Sequence, residues 1–185
     1  DSIKGDTLLY DAQEIVQEKY ELRMKISLAL MKRGEQSGLV SFEHPPKPFS
    51  LQTKISLMNV ISEINPPNAL HLLSAFYNDR SDYVRAKAVE SLGKINSKEA
   101  QDEVRRFLSR DGADEVRINA AMALMKSDEA AAVQELLKSL DNPDDDRRSK
   151  VILALGDVKS NAAREKVLPV LRPLIKDNSE WTRIS

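Results

Sequence analysis

The chain has 185 residues, with 28 Lys and Arg against 29 Asp and Glu, six glycines, few aromatics and no cysteine. That length suits one compact domain or one short solenoid, and a net charge near zero argues against a chain built to wrap nucleic acid, which carries a basic excess along one face. Lack of cysteine excludes disulfides, thiolate nucleophiles and cysteine-based zinc sites, and the composition suits stacked helices better than a sandwich or barrel.

No apolar run approaches the length of a membrane span, and no secretory leader is visible. The chain opens at Asp1 without Met, so the expectation is a processed or cut fragment. The compartment stays open between cytoplasm and periplasm, with the cytoplasm favoured.

Residues 1–34 form the first segment. Leu8, Ala12, Ile15, Leu22, Ile26 and Leu30 recur at helical spacing and predict one long helix over about 7–33. Asp6 or Thr7 can cap its start and Gly34 can close its end. Arg23 sits where a repeat would place its anchor, so the helix reads as a degenerate repeat or an N-terminal cap. Residues 35–49 form a connector, because Pro45, Pro46 and Pro48 forbid helix. Phe42 and Phe49 flank these prolines and are expected to pin the loop. Pro45 to Pro48 also matches the minimal spacing of a proline-rich ligand, but an ordered connector is the commoner use.

From residue 50 onward one sentence is written several times. The clearest copy is Val84-Arg85-Ala86-Lys87-Ala88-Val89-Glu90-Ser91-Leu92-Gly93-Lys94-Ile95. It returns at 116–125 and 147–158, and more faintly at 54–64. The anchors Lys54, Arg85, Arg117 and Arg148 lie roughly 31–32 positions apart, a period of helical repeat arrays. Apolar side chains recur around each anchor at helical spacing: Val84, Ala88, Val89, Leu92 and Ile95 in the clearest copy. Such a stripe buries one face of a helix that cannot stand alone. Arg147 breaks the pattern, since the other strong copies have Val there.

Second helices are predicted to begin near Pro67, Ser97, Asp128 and Ser160, each with a capping side chain or an N-terminal proline nearby. Their expected buried stripes include Leu72, Leu73 and Phe76; Val104, Phe107 and Leu108; Val133, Leu136 and Leu140; and Val167, Leu168 and Leu171. The last second helix carries about four extra residues before Leu168, one added turn.

These residues resemble the HEAT-like repeat named after phycobilisome lyases. Its pattern is an acidic turn, Val-Arg, an Ala-rich stretch and Leu-Gly, then a second helix with Leu-Pro-x-Leu. Asp79 to Ile95 carries the first part and Leu168-Pro169-Val170-Leu171 the second. The resemblance covers about residues 50–185, which hold about four repeats. Asp177 to Arg183, with Trp181, looks like the opening of a further copy, so more chain is expected beyond it. The implied fold is all-α, a right-handed solenoid of helical hairpins. Function is implied only loosely, because the family includes bilin lyases, DNA glycosylases, an iron-dependent hydroxylase and many plain scaffolds.

Several groups were candidates for chemistry. Arg85, Arg117 and Arg148 each follow an acid by three positions: Asp82, Asp114 and Asp145. The expectation is a structural ladder of ion pairs and caps along the inter-repeat turns, favoured over an anion-binding arginine row. His44 and His71 are the only histidines and neither stands in a His-Glu dipeptide, so the hydroxylase activity is set aside and no metal site is assigned. Asp141, Asp144, Asp145 and Asp146 lack the ligand spacing of a calcium loop and read as a solvated turn with Asp144 as a cap. Arg105, Arg106 and Arg110 are interleaved with acids, so nucleic-acid binding is disfavoured. No phosphate loop or nucleophile motif is present.

The sequence therefore reads as a non-enzymatic scaffold without cofactor, docking a protein or peptide on the concave face of the solenoid. Second helices usually line that face. The partner-binding residues expected there are His71, Ser74, Asp102, Arg106, Glu135, Lys138, Glu165 and Arg172. A bilin lyase or isomerase accessory protein is the alternative reading, and a DNA-binding protein the next.

Overall fold

The computed structural model describes residues 15–35 in part and 50–174 throughout. The described residues form helices and turns with no strand, so the fold class is all-α. The connector prolines, His44 and the copy opening around Trp181 lie outside the described residues. The chain divides into two compact units, Asp1–Asn78 and Asp79–Ser185.

In the first unit, every described position between 15 and 30 is helical, α1. Helix α2 spans Leu51–Ile64 and α3 spans Ala69–Ser74. Ser50 opens α2 by accepting the Thr53 N–H at 3.2 Å. Asn65 closes it in the left-handed region at φ 47°, its N–H donating to the Ile61 carbonyl. Asn tolerates that conformation better than most residues, and the prolines that follow cannot continue the helix. Leu57, Met58 and Ile61 of α2 and Leu73 of α3 are buried, as the faint copy predicts.

The second unit holds three hairpins. Helices α4 (Asp82–Lys94) and α5 (Lys98–Arg110) form the first. Helices α6 (Asp114–Leu124) and α7 (Glu129–Lys138) form the next. Helices α8 (Asp145–Gly156) and α9 (Asn161–Leu174) form the last. First helices stack in the order α4, α6, α8, and each second helix leans on its neighbours. The predicted stripes form the core: Val84, Ala88, Val89 and Leu92, then Val116, Ala120, Ala121 and Leu124, then Val151 and Leu155. Burying each Val or Leu contributes about 1.5–3 kcal/mol before entropy.

Small residues set the closeness of α4 and α6. A Cβ added at Gly93 would lie 2.7 Å from the Cβ of Ala123, inside contact distance. Gly93 is therefore a steric requirement of the stack. By contrast, a Cβ at Gly156 would meet nothing within 4 Å.

Four of the predicted caps are in place; α3 has no side-chain cap, and Asp6, Thr7 and Gly34 lie outside the described residues. Ser97, Asp128, Asp144 and Ser160 each accept the N–H three residues on. Each such cap is worth about 1 kcal/mol. The second-helix stripes depart in part from expectation: Leu168 is 47% exposed, and Leu72, Leu108 and Leu171 are only half-buried. In α9 only Ala163 and Val167 are fully buried, because no described helix covers its outer flank.

Candidate functional site

The arginines of the repeats are committed to the stack. Arg85 reaches past Asp82 to the loop of the next hairpin, where Nε meets Asp111 Oδ2 at 2.8 Å and Nη2 meets Oδ1 at 3.0 Å. Its Nη1 donates to the Asp79 carbonyl at 2.9 Å. Asp111 also accepts the Ala113 N–H at 2.9 Å, and its carbonyl accepts Arg117 Nη1 at 3.0 Å. Arg117 in turn pairs with Asp114 and, through Nε at 2.9 Å, with Glu135 of α7. Arg148 pairs with Asp145. The result is a connected run of bonds from Asp79 to Glu135. Hydrogen bonds from Arg85 hold the Asp111 carboxyl below its ordinary range against the opposing effect of burial. Bonding to Glu135 likewise raises Arg117.

The second-helix residues expected to bind a partner are separated by their roles. Asp102 pairs with Arg105 at 3.0 Å and Arg106 with Glu103. Glu135 is half-buried and holds both Arg117 and Lys138. Ser74 donates to the His71 carbonyl at 2.6 Å. Glu165 and Arg172 are exposed on α9.

None of these eight lines the groove that the structure displays. That groove, of about 1500 Å³, runs across the first helices α4, α6 and α8. Helix α4 contributes Tyr83, Lys87, Glu90 and Lys94; α6 contributes Glu115, Asn119 and Met122, with Lys126 in the turn that follows; α8 contributes Arg147, Lys150 and Leu153, with Asp157 just past its end. Spacings of four, three and four residues on α4, and of four and three on α6, place these helical side chains on one face, opposite the packed stripe.

Three large apolar groups stand open in this groove: Tyr83 at 40% exposure, Met122 at 40% and Leu153 at 56%. Met122 and Leu153 occupy the same position of successive copies, five residues after the anchor. Buried Ala86 and Ile118 form part of the floor.

The charges divide into two sets. Glu90 is held by Lys87 at 2.7 Å and Lys94 at 3.3 Å. Burial pushes its carboxyl up, but the bonds from the two lysines outweigh that and leave it below its ordinary range. Glu115 is held by Arg147 at 3.3 Å, which explains the arginine that replaces Val: it ties α8 to α6 from the groove side. Glu129 accepts the backbone N–H of Lys159 at 2.7 Å and that of Ser160, and bonds from Ser160 and Lys159 lower its carboxyl. Lys126, Lys150 and Lys159 are exposed and have no carboxylate partner among the described residues.

The groove leaves a trace in the sequence. Positions two before and two, five and nine after each anchor lie off the packed stripe. They differ from copy to copy: Tyr83 against Glu115, Glu90 against Met122 and Leu153, Lys94 and Lys126 against Asp157. Stacking constrains the stripe, while these positions are free to differ.

An all-α array of stacked hairpins with a continuous groove along one face of its first helices defines a helical-repeat protein. Residues 69–156, from α3 through α8, match the family model of HEAT repeats. No curated protein matches the chain. Among the described residues, no helix is long and apolar enough to cross a membrane.

Proposed function

We propose that this chain is a non-enzymatic scaffold that docks a protein or peptide segment in the groove of its first helices. HEAT repeats generally mediate protein–protein interaction, which supports the class of function. The observation that carries the choice of surface is the row of open apolar groups, Tyr83, Met122 and Leu153, set among charged side chains. Apolar anchors in a concave polar setting supply most of the affinity of such interfaces, and the surrounding charges supply selectivity. The second-helix surface is the weaker candidate, because Asp102, Arg106, Glu135 and Lys138 are already paired within the protein.

A photo-cross-linking residue placed at Met122 or Leu153, and separately at Arg106 or Arg172, tests this in lysate of the source organism. Adducts with protein are expected from the groove positions. Adducts confined to Arg106 and Arg172 would return docking to the second helices, and none from either surface would contradict the scaffold reading.

The closer resemblance to phycobilisome-lyase-type repeats rests on the Val-Arg, Leu-Gly and Leu-Pro-x-Leu residues, and it carries the bilin alternative with it. A shifted visible spectrum on mixing with a free bilin would raise that reading. Salt-sensitive retention on DNA would raise the nucleic-acid one.

A further inference from the structure

We infer that the segment docked in the groove is acidic and amphipathic, presenting carboxylates beside apolar side chains. The inference rests on the docking role proposed above and adds the chemistry of the partner. It comes from an imbalance in the groove. The whole chain is close to neutral, at net −1. The groove has six basic side chains against four acidic ones.

The excess is also the available part. Of the four acids, Glu90, Glu115 and Glu129 are satisfied within the protein, which leaves the exposed Asp157 against three lysines. Lys126, Lys150 and Lys159 are exposed and lack a carboxylate partner among the described residues. Lys126 lies four residues beyond Met122, in the turn that follows α6, and Lys150 lies one turn before Leu153 on α8. Lys126 and Lys150 thus each accompany an open apolar group. Neighbouring helices in such stacks lie about 8–10 Å apart. An extended segment rises about 3.3 Å per residue and points alternate side chains to one face, so apolar groups two or four residues apart, about 7 or 13 Å, bracket that distance and face Met122 and Leu153 together. Carboxylates between or beside them meet Lys126 and Lys150.

A nucleic acid fits the same lysines less well. Its uniform phosphate charge would lie against Glu90, Glu115 and Asp157, and the groove offers one aromatic, Tyr83, for base stacking.

Selection of a random peptide display library on the immobilised full chain is the test, with K126E/K150E and M122D/L153D as companion targets. Selected peptides should be enriched in Asp and Glu together with Leu, Ile, Phe or Met. One such peptide, labelled and titrated by fluorescence anisotropy, should bind K126E/K150E about tenfold or more weakly, the effect of losing and reversing two charge contacts. Enrichment of basic or neutral peptides that depend on Met122 and Leu153 overturns the acidic partner and leaves groove docking intact. Peptides indifferent to both double variants, or no enrichment at all, overturn groove docking itself. A single-stranded DNA probe that binds more tightly than the selected peptide and is lost in K126E/K150E replaces the peptide by a nucleic acid. Thermal melting of both variants confirms that they remain folded.

Discussion

Arg85 and Asp111, 26 residues apart, meet through two parallel hydrogen bonds of 2.8 and 3.0 Å. The pair joins the start of α4 to the loop that opens the next hairpin, and both side chains are largely covered, at 18% and 8% exposure. Two-pronged recognition of a carboxylate is specific to the flat guanidinium. Arg85→Ala leaves the Asp111 carboxylate without its main partner and should cost about 2 kcal/mol, lowering the melting temperature by about 4–8 °C. Arg85→Lys should recover only part of the loss. Full recovery would show that charge alone sets the contact.

The same pair sets an acid limb to stability. Asp111 has a lower carboxyl pKa folded than unfolded, chiefly through its bonds from Arg85. Its contribution is therefore present above the unfolded carboxyl value, about 3.9, and lost as pH falls through the folded one. Urea unfolding midpoints of the natural chain and Asp111→Asn should differ by a constant amount between neutral pH and about pH 5 and converge below about pH 4. A gap that persists into strong acid would contradict this.

Two glycines of the first helices should respond in opposite ways. Gly93→Ala gains up to about 1 kcal/mol of helix propensity but forces a Cβ to 2.7 Å from Ala123, an overpacking cost of about 1–3 kcal/mol. Net destabilisation is expected. Gly156→Ala meets no atom within 4 Å and should be neutral or stabilising by up to about 1 kcal/mol. Chemical denaturation of both variants checks the sign.

Capping makes a fourth forecast. Asp128 and Asp144 accept the first-turn N–H groups of α7 and α8 at 3.3 and 3.0 Å. Asp128→Ala and Asp144→Ala should each cost about 1 kcal/mol. Asp146→Ala, on the same turn without a capping bond in the structure, should stay within about 0.5 kcal/mol of the natural chain by the same measurement.

Most of the fold could be read from the repeated residues. Val84, Ala88, Val89 and Leu92 predicted a buried stripe because burial forces apolar groups to recur at helical spacing, and all four are buried. Ser97, Asp128 and Asp144 predicted helix starts because their side chains complete local hydrogen bonds. Long-range partners were hidden. Arg85 suggested Asp82, three residues back, whereas the bond goes to Asp111 across the stack. The groove was hidden for a related reason. Which face of a hairpin stays open depends on how hairpins stack, and periodicity within one helix does not encode that. The residues that differ between copies, Met122, Leu153 and Arg147 among them, were the available trace.

Groove residues should separate binding from stability. Lys126, Lys150, Met122 and Leu153 are exposed. K126E/K150E should therefore melt within about 0.5 kcal/mol of the natural chain. A large loss of stability would mean that these lysines belong to the stack.

The central claim, that the first-helix groove is the docking surface, is tested most directly by lysine footprinting. The purified chain is labelled with an amine-reactive reagent alone and in lysate of the source organism, and modification is read at each lysine by mass spectrometry. Docking in the groove predicts that Lys126 and Lys150 become protected while Lys138 and Lys166 of the second helices keep their reactivity. Protection of Lys138 and Lys166 with Lys126 and Lys150 unchanged would contradict it.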